Sequence, residues 1–162
     1  MENPNEKMKL DFKFVIEVIL AGMRAMLGGW MIINGLNHFL PMMGLPPFYP
    51  QPLGTLHWSN VMLVSMIETG LFDLAKIAEV FVGLCLVFNR FVPLALAISL
   101  PVSFIVFYNS IALNYRYERL FSTYMAVWCT YMTIILMIAN YKHYLPLLQW
   151  KSEQSLPKRT PE

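Results

Sequence analysis

The chain has 162 residues, one domain's worth, of which 57% are hydrophobic and 14% charged, with a net charge of +2. A soluble domain carries about 25% charged residues, so the deficit, with a mean hydropathy of +0.50, points to lipid as the solvent. The small net charge, and the lack of any Lys/Arg-rich tract outside the tails, exclude nucleic acid as a partner.

Residues 1–13 are polar and mixed in charge and read as a cytoplasmic N-terminal segment. The apolar run after them, about Phe14–Leu40, is too long for a signal-peptide core and lacks a small-residue cleavage site. It reads as a retained first span. A span needs about 20 apolar residues to cross roughly 30 Å of hydrocarbon.

Pro41–Asn60 follows, with Pro41, Pro46, Pro47, Pro50, Pro52, Gly44 and Gly54. Proline lacks an amide proton and restricts its neighbour, so this segment is no continuous helix. It is uncharged and carries Phe48, Tyr49 and Trp58, which suits a loop in the headgroup layer. Trp58–Thr69 reads as a short helix leading into a second span, about Leu71–Phe88. Asn89-Arg90 makes a tight turn into the third span, Phe91–Leu113, and Asn114–Arg119 connects to the fourth, about Leu120–Tyr141. Backbone in lipid must satisfy itself, and long runs without strict alternation favour helices over barrel strands.

The predicted fold is therefore an all-α, integral membrane four-helix bundle over residues 14–144. It has a Pro-rich outer loop, a short helix before the second span, and a polar cytoplasmic tail over 145–162, which reads as disordered after Trp150. Lys7, Lys9, Lys13, Arg90, Lys142, Lys151, Lys158 and Arg159 fall on one side, and Arg116 and Arg119 on the other. That asymmetry predicts both termini in the cytoplasm, N-in and C-in.

Charges inside the spans are the informative residues. Arg24 lies in the first span, and Asp73, Lys76 and Glu79 early in the second. A charge at the bilayer centre costs about 2.5–3.5 kcal/mol on insertion scales, so each needs a partner or a cavity. Arg24 sits about 15 Å deep from one face and Glu79 about 12 Å from the other, which predicts an Arg24–Glu79 pair. Glu17, Arg24, Gly28, Met31, Gly35 and His38 share one stripe of the first span. Lys76, Glu79 and Gly83 form a stripe on the second, where glycines permit close approach.

Further polar groups gather toward the outer half: Asn34, Asn37 and His38, then Tyr108 and Asn109, then the stripe Tyr124, Trp128 and Tyr131. With Lys76 and Glu79 they are expected to line one cavity under the proline-rich loop. Each has a plainer reading. The Arg24–Glu79 pair can simply fix helix register, His38 can cap a helix end, and the aromatic stripe can be packing. Ser99, Ser103 and Ser110 read as close-packing positions, and Pro101 as a kink. Cys85 and Cys129 lie at about 21 and 14 Å from the outer face, an offset that argues against a disulfide. Neither has the spacing of a metal ligand, and no metal site is expected.

Several segments resemble DoxX-like membrane proteins. The run Asn34-Gly35-Leu36-Asn37-His38-Phe39-Leu40-Pro41 before a Pro-rich loop is one. Lys76-Ile77-Ala78-Glu79-Val80-Phe81-Val82-Gly83-Leu84 is similar to the family's K-x-x-E-x-x-x-G-x-L segment, and Asn89-Arg90-Phe91-Val92-Pro93-Leu94-Ala95-Leu96 to the turn into its third helix. Arg24 matches the family's first-helix arginine, and Pro101 and Asn109 lie in a stretch similar to one bacterial subgroup. The resemblance covers roughly Val15 to Ile138, and departs most between the third and fourth helices. It implies a multi-pass protein of the bacterial inner membrane with a link to redox membranes. The namesake looks like a subunit of a thiosulfate:quinone oxidoreductase, and other members look like partners of redox-defence proteins.

Three functional expectations follow. The first is an accessory or quinone- or other hydrophobic-ligand-binding subunit of a membrane redox system, with lipid, a redox partner subunit and further copies of itself as partners. The second is a small membrane enzyme acting on a lipid or isoprenoid, with Glu79, Lys76, Arg24 and His38 as catalytic candidates. The third is a transporter or proton path. The ligand-binding candidates are Asn34, Asn37, His38, Lys76, Glu79, Asn109, Tyr124 and Trp128. No haem, flavin or nucleotide motif is visible; quinone is the one cofactor class the resemblance brings in.

Overall fold

Proline and left-handed residues set most element ends in this computed structural model, which describes residues 4–49 and 58–148, with side chains described over 12–49 and 58–146. The first helix, α1, runs Pro4–Phe39. It starts ten residues before the predicted span, because Glu, Lys, Met and Leu are good helix formers and nothing between Pro4 and Phe14 breaks them. It stops ahead of Pro41, where a single 3-10 turn, Pro41–Met43, closes on Gly44 at φ 75°. α2 spans Trp58–Glu68. Gly70 follows at φ 73°, a conformation that suits glycine, and turns the chain into α3, Leu71–Val87.

Asn89 at φ 54° and Phe91 at φ 51° form the tight turn into α4, Val92–Ile111, which carries Pro93 in its first turn and Pro101 inside. The predicted fourth span is shorter than expected. Tyr117–Phe121 is a 3-10 turn, Ser122 is extended, and α5 covers only Met125–Ala139. The chain continues past α5 in 3-10 turns at Tyr141–His143 and Leu145–Leu148, so the predicted tail opens with a helical turn. Pro50, Pro52 and Gly54 of the proline-rich loop, and the tail from Gln149, lie outside the described residues.

Helices α1, α3, α4 and α5 touch in a ring, in that order, and α2 packs against α3 and α4. The most extensive contact is α1 on α3. Glycine sets it: a Cβ built on Gly83 would lie 2.6 Å from the Gly28 carbonyl oxygen, and one on Gly35 would lie 2.9 Å from the Lys76 carbonyl oxygen. The two antiparallel backbones are therefore in direct contact, as the two stripes predict. Leu27, Met31, Val82, Leu86, Ala95, Leu96, Met132 and Leu136 form the core between the four helices. On the α4–α5 seam the Ser99 hydroxyl lies 3.1 Å from that of Thr133, and Thr130 donates to the Ser103 carbonyl at 3.1 Å. Small hydroxyl residues thus join these helices as well as letting them close.

The outward surface is apolar on every α-helix: Phe14, Trp58, Ile77, Phe104 and Ile138 are all exposed. A water-facing monomer rarely shows such continuous apolar area. Among the described residues two helices are long and apolar enough to cross a membrane, Phe12–Phe39 and Val92–Ile111, and Met125–Ala139 is apolar but shorter.

Candidate functional site

The α1–α3 contact places a chain of polar side chains inside the ring. Lys76 and Glu79 are one turn apart on α3 and only 6% and 4% exposed. The Lys76 ammonium donates to Glu79 Oε2 at 2.9 Å and lies 5.1 Å from the centre of the Phe72 ring. From α1, the Asn34 amide donates to the same Oε2 at 2.8 Å. Both bonds fall on one oxygen; Oε1 carries none among the described residues.

Tyr49 completes the chain. Its hydroxyl donates to Asn34 Oδ1, and its ring stacks on Trp30 with an interplanar angle of 4°. Asn37, 2% exposed, holds the Tyr49 backbone in place: its amide donates to the Tyr49 carbonyl and its Oδ1 accepts from the Tyr49 N–H, each at 3.1 Å. Burial, then the charge of Glu79, pushes the Tyr49 phenol up to about 12. The phenol therefore stays protonated, and a donor, at physiological pH. This aromatic was expected at the membrane surface; it turns inward instead, because two asparagines one helical turn apart give its backbone and its hydroxyl partners.

Beside this chain lies a cavity of about 340 Å³ between α1, α3, α4 and α5. Its polar wall is Asn34, Tyr49 and Glu79. Trp30, Met31, Val102, Val106, Met125 and Ala126 give it apolar walls, and Ser103, Ser110, Thr123, Tyr124 and Cys129 add small polar groups. Cavities of this size and mixture suit a mostly apolar ligand with a polar end.

The structure sorts the predicted site residues. Asn34, Glu79 and Tyr124 line the cavity. Lys76 does not, and acts on it through Glu79. Asn37 does not either; it anchors the loop. His38 pairs with Asp73, Nε2 to Oδ1 at 2.6 Å, edge-on to Phe72 and Phe39, which ties α1 to the start of α3 away from the cavity wall. Trp128 is 43% exposed and donates to the Ser122 carbonyl at 3.2 Å, and Tyr131 donates to the Leu120 carbonyl at 3.1 Å. These two aromatics brace the 3-10 connection rather than the cavity. Asn109 also lies off the wall. Its backbone carbonyl accepts from the Asn114 amide at 2.7 Å, and its buried Oδ1 has no hydrogen-bond partner among the described residues.

The predicted Arg24–Glu79 pair does not form. Arg24 donates to Asn89 Oδ1 at 2.7 Å, at the opposite end of α3. The Gly28–Gly83 register puts Arg24 opposite the α3–α4 turn, and Lys76 reaches Glu79 from within the same helix. Cys85 and Cys129 are both free and buried. Among the described residues no three His, Cys, Asp or Glu side chains come together as a metal site. Trp30 and the apolar wall residues Val102, Val106, Met125 and Ala126 were not singled out from sequence, since their type and spacing equally fit packing; Tyr49 was read as part of a surface loop, and Ser103 and Ser110 as packing positions.

No family model, curated protein or solved structure matches the chain. The likeness to DoxX-like proteins stands on the motif residues alone.

Proposed function

We propose that the chain is a multi-pass protein of the bacterial inner membrane, an N-in, C-in four-helix bundle that binds a hydrophobic ligand with a hydrogen-bonding head, of the quinone and quinol class. The observation that carries this reading is a carboxylate with one uncommitted oxygen in the wall of an otherwise largely apolar cavity. A ligand hydroxyl donating to Glu79 Oε1 satisfies that oxygen, and Ser103 and Ser110 offer donors to a carbonyl on the ring's far side. The outward apolar surface and the two span-length helices support a membrane location. The place in a redox system, as an accessory subunit beside a redox partner, rests on the DoxX-like motifs.

The test uses Trp30 as reporter. Decylubiquinone titrated into the detergent-purified chain is expected to quench tryptophan fluorescence saturably. Trp30→Phe removes most of the quenchable signal, and Ala126→Phe, which fills the cavity, abolishes saturation. Linear, non-saturating quenching equal in all three proteins contradicts the reading.

The same oxygen favours a second reading, a membrane enzyme in which Glu79 takes a proton from a lipid or isoprenoid substrate, poised by Lys76. That reading predicts turnover abolished by Glu79→Gln with ligand binding largely kept.

A further inference from the structure

A second cavity, of about 310 Å³, lies at the other end of the ring, where α1 passes the α3–α4 turn and the end of α5. Arg24 and Glu17 both line it, with Asn89 and Asn140 beside them and Leu20 and Leu136 as apolar walls. Arg24 is part-buried on a span-length apolar helix. A guanidinium keeps its charge in proteins. Here it meets only the neutral Asn89 oxygen, at 2.7 Å, and no carboxylate lies within ion-pair distance among the described residues. Its remaining N–H groups are uncommitted among the described residues. Such a cation in a membrane calls for an anion.

Glu17 is the complement. It precedes Arg24 by about two turns, roughly 10 Å along α1 and toward the helix end. Among the described residues its carboxylate reaches only Lys13, at 3.9 Å, in a solvated pair with both partners more than half exposed. Such pairs are weak and easily exchanged. The cavity thus offers a cation on the bundle side and an anion on the water side.

We propose that this cavity binds a zwitterionic aminophospholipid headgroup, phosphate on Arg24 and primary ammonium on Glu17. The order of charges fits. A glycerophosphoethanolamine lipid presents, from hydrocarbon outward, phosphate and then ammonium; along α1 the cavity presents Arg24 and then Glu17, with Leu20 between them and Leu136 on α5 as apolar wall. The guanidinium suits phosphate because its planar fork donates to two oxygens at once. A primary ammonium donates hydrogen bonds to a carboxylate, which a quaternary choline cannot. A phosphatidylglycerol headgroup brings no cation to Glu17. With N-in orientation, the lipid is drawn from the cytoplasmic leaflet. The site rests on the membrane reading and is independent of the cavity beside Glu79.

Native mass spectrometry of the detergent-purified full chain tests it, with phosphatidylethanolamine, phosphatidylcholine and phosphatidylglycerol of identical acyl chains as probes. Phosphatidylethanolamine is expected to bind about tenfold more tightly than the other two, the worth of one charge-assisted hydrogen bond. Glu17→Gln removes that preference and leaves phosphatidylcholine binding unchanged, whereas Arg24→Gln weakens all three. If Arg24→Gln does not fold, Ala139→Trp fills the cavity with both charges in place and is expected to cause the same loss. Displacement of the bound lipid by soluble phosphoethanolamine assigns the same chemistry to a free headgroup, and no displacement assigns it to the lipid. Equal binding of phosphatidylethanolamine and phosphatidylcholine by the native chain, or undiminished phosphatidylethanolamine binding by Ala139→Trp, overturns the proposal, whatever the outcome of the quinone titration.

Discussion

Lys76 and Glu79 compensate each other where neither is solvated. Removing one partner leaves an unpaired buried charge, which typically costs about 3–5 kcal/mol, whereas replacing both with apolar groups of similar volume is often near neutral. Lys76→Met is therefore expected to lower the unfolding free energy in detergent by about that amount, and Lys76→Met with Glu79→Leu to recover most of it. Denaturant titration of the two variants reads this directly; equal destabilisation would show that Glu79 has another counter-charge. These two residues were legible in the sequence because charges on an apolar helix have so few inexpensive explanations. The partner of Arg24 was not legible. Matching depths from assumed span starts ignores that α1 begins ten residues early, and that a partner one turn away on the same helix needs no interhelical register. Tyr49 was hidden for a different reason: an aromatic among prolines fits a surface loop equally well, and only the contacts with Asn34 and Asn37 distinguish the two.

At the scale of the helices, the α1–α3 register depends on glycines that differ sharply from their neighbours. A methyl on Gly83 meets the Gly28 carbonyl oxygen at 2.6 Å, while one on Gly22 or Gly29 meets nothing within 4 Å. Gly83→Ala must push two backbones apart, and overpacking of this kind costs about 1–3 kcal/mol. Gly22→Ala and Gly29→Ala are expected to be neutral or stabilising by about 0.5–1 kcal/mol, since alanine is the better helix former. Thermal unfolding of the three variants checks the contrast, and comparable losses in all three would place the helix contact elsewhere. The glycine stripe showed this packing in advance because 3.6-residue periodicity carries over from sequence to helix face. The Tyr124–Trp128–Tyr131 stripe has the same periodicity, yet only Tyr124 reaches the cavity. Periodicity gives the face of a helix, and α5 starts five residues later than the hydropathy suggests, so Trp128 and Tyr131 in its first two turns are spent holding the 3-10 connection.

Among the described residues the molecule is all-helical, with large apolar side chains exposed on every helix. The predicted topology puts the loop after α1 on one side and the segment after α5 on the other. In intact cells, with Cys85 and Cys129 replaced by alanine, a membrane-impermeant maleimide is expected to label Met42→Cys and spare Lys142→Cys. The reverse pattern would invert the orientation, and labelling of neither after cell lysis would place both in lipid. Composition and span lengths made the helical architecture legible. They could not show the cavity, which exists only where Asn34, Tyr49 and Glu79 from three separate segments meet the wall of α4 and α5. The central claim is that this cavity holds an apolar molecule with a hydrogen-bonding head. Mass spectrometry of organic molecules extracted from the chain purified in mild detergent tests it most directly, with Ala126→Phe as the cavity-filled comparison. The native chain is expected to carry over a quinone or similar amphiphile that the variant lacks; identical extracts from the two would contradict the account.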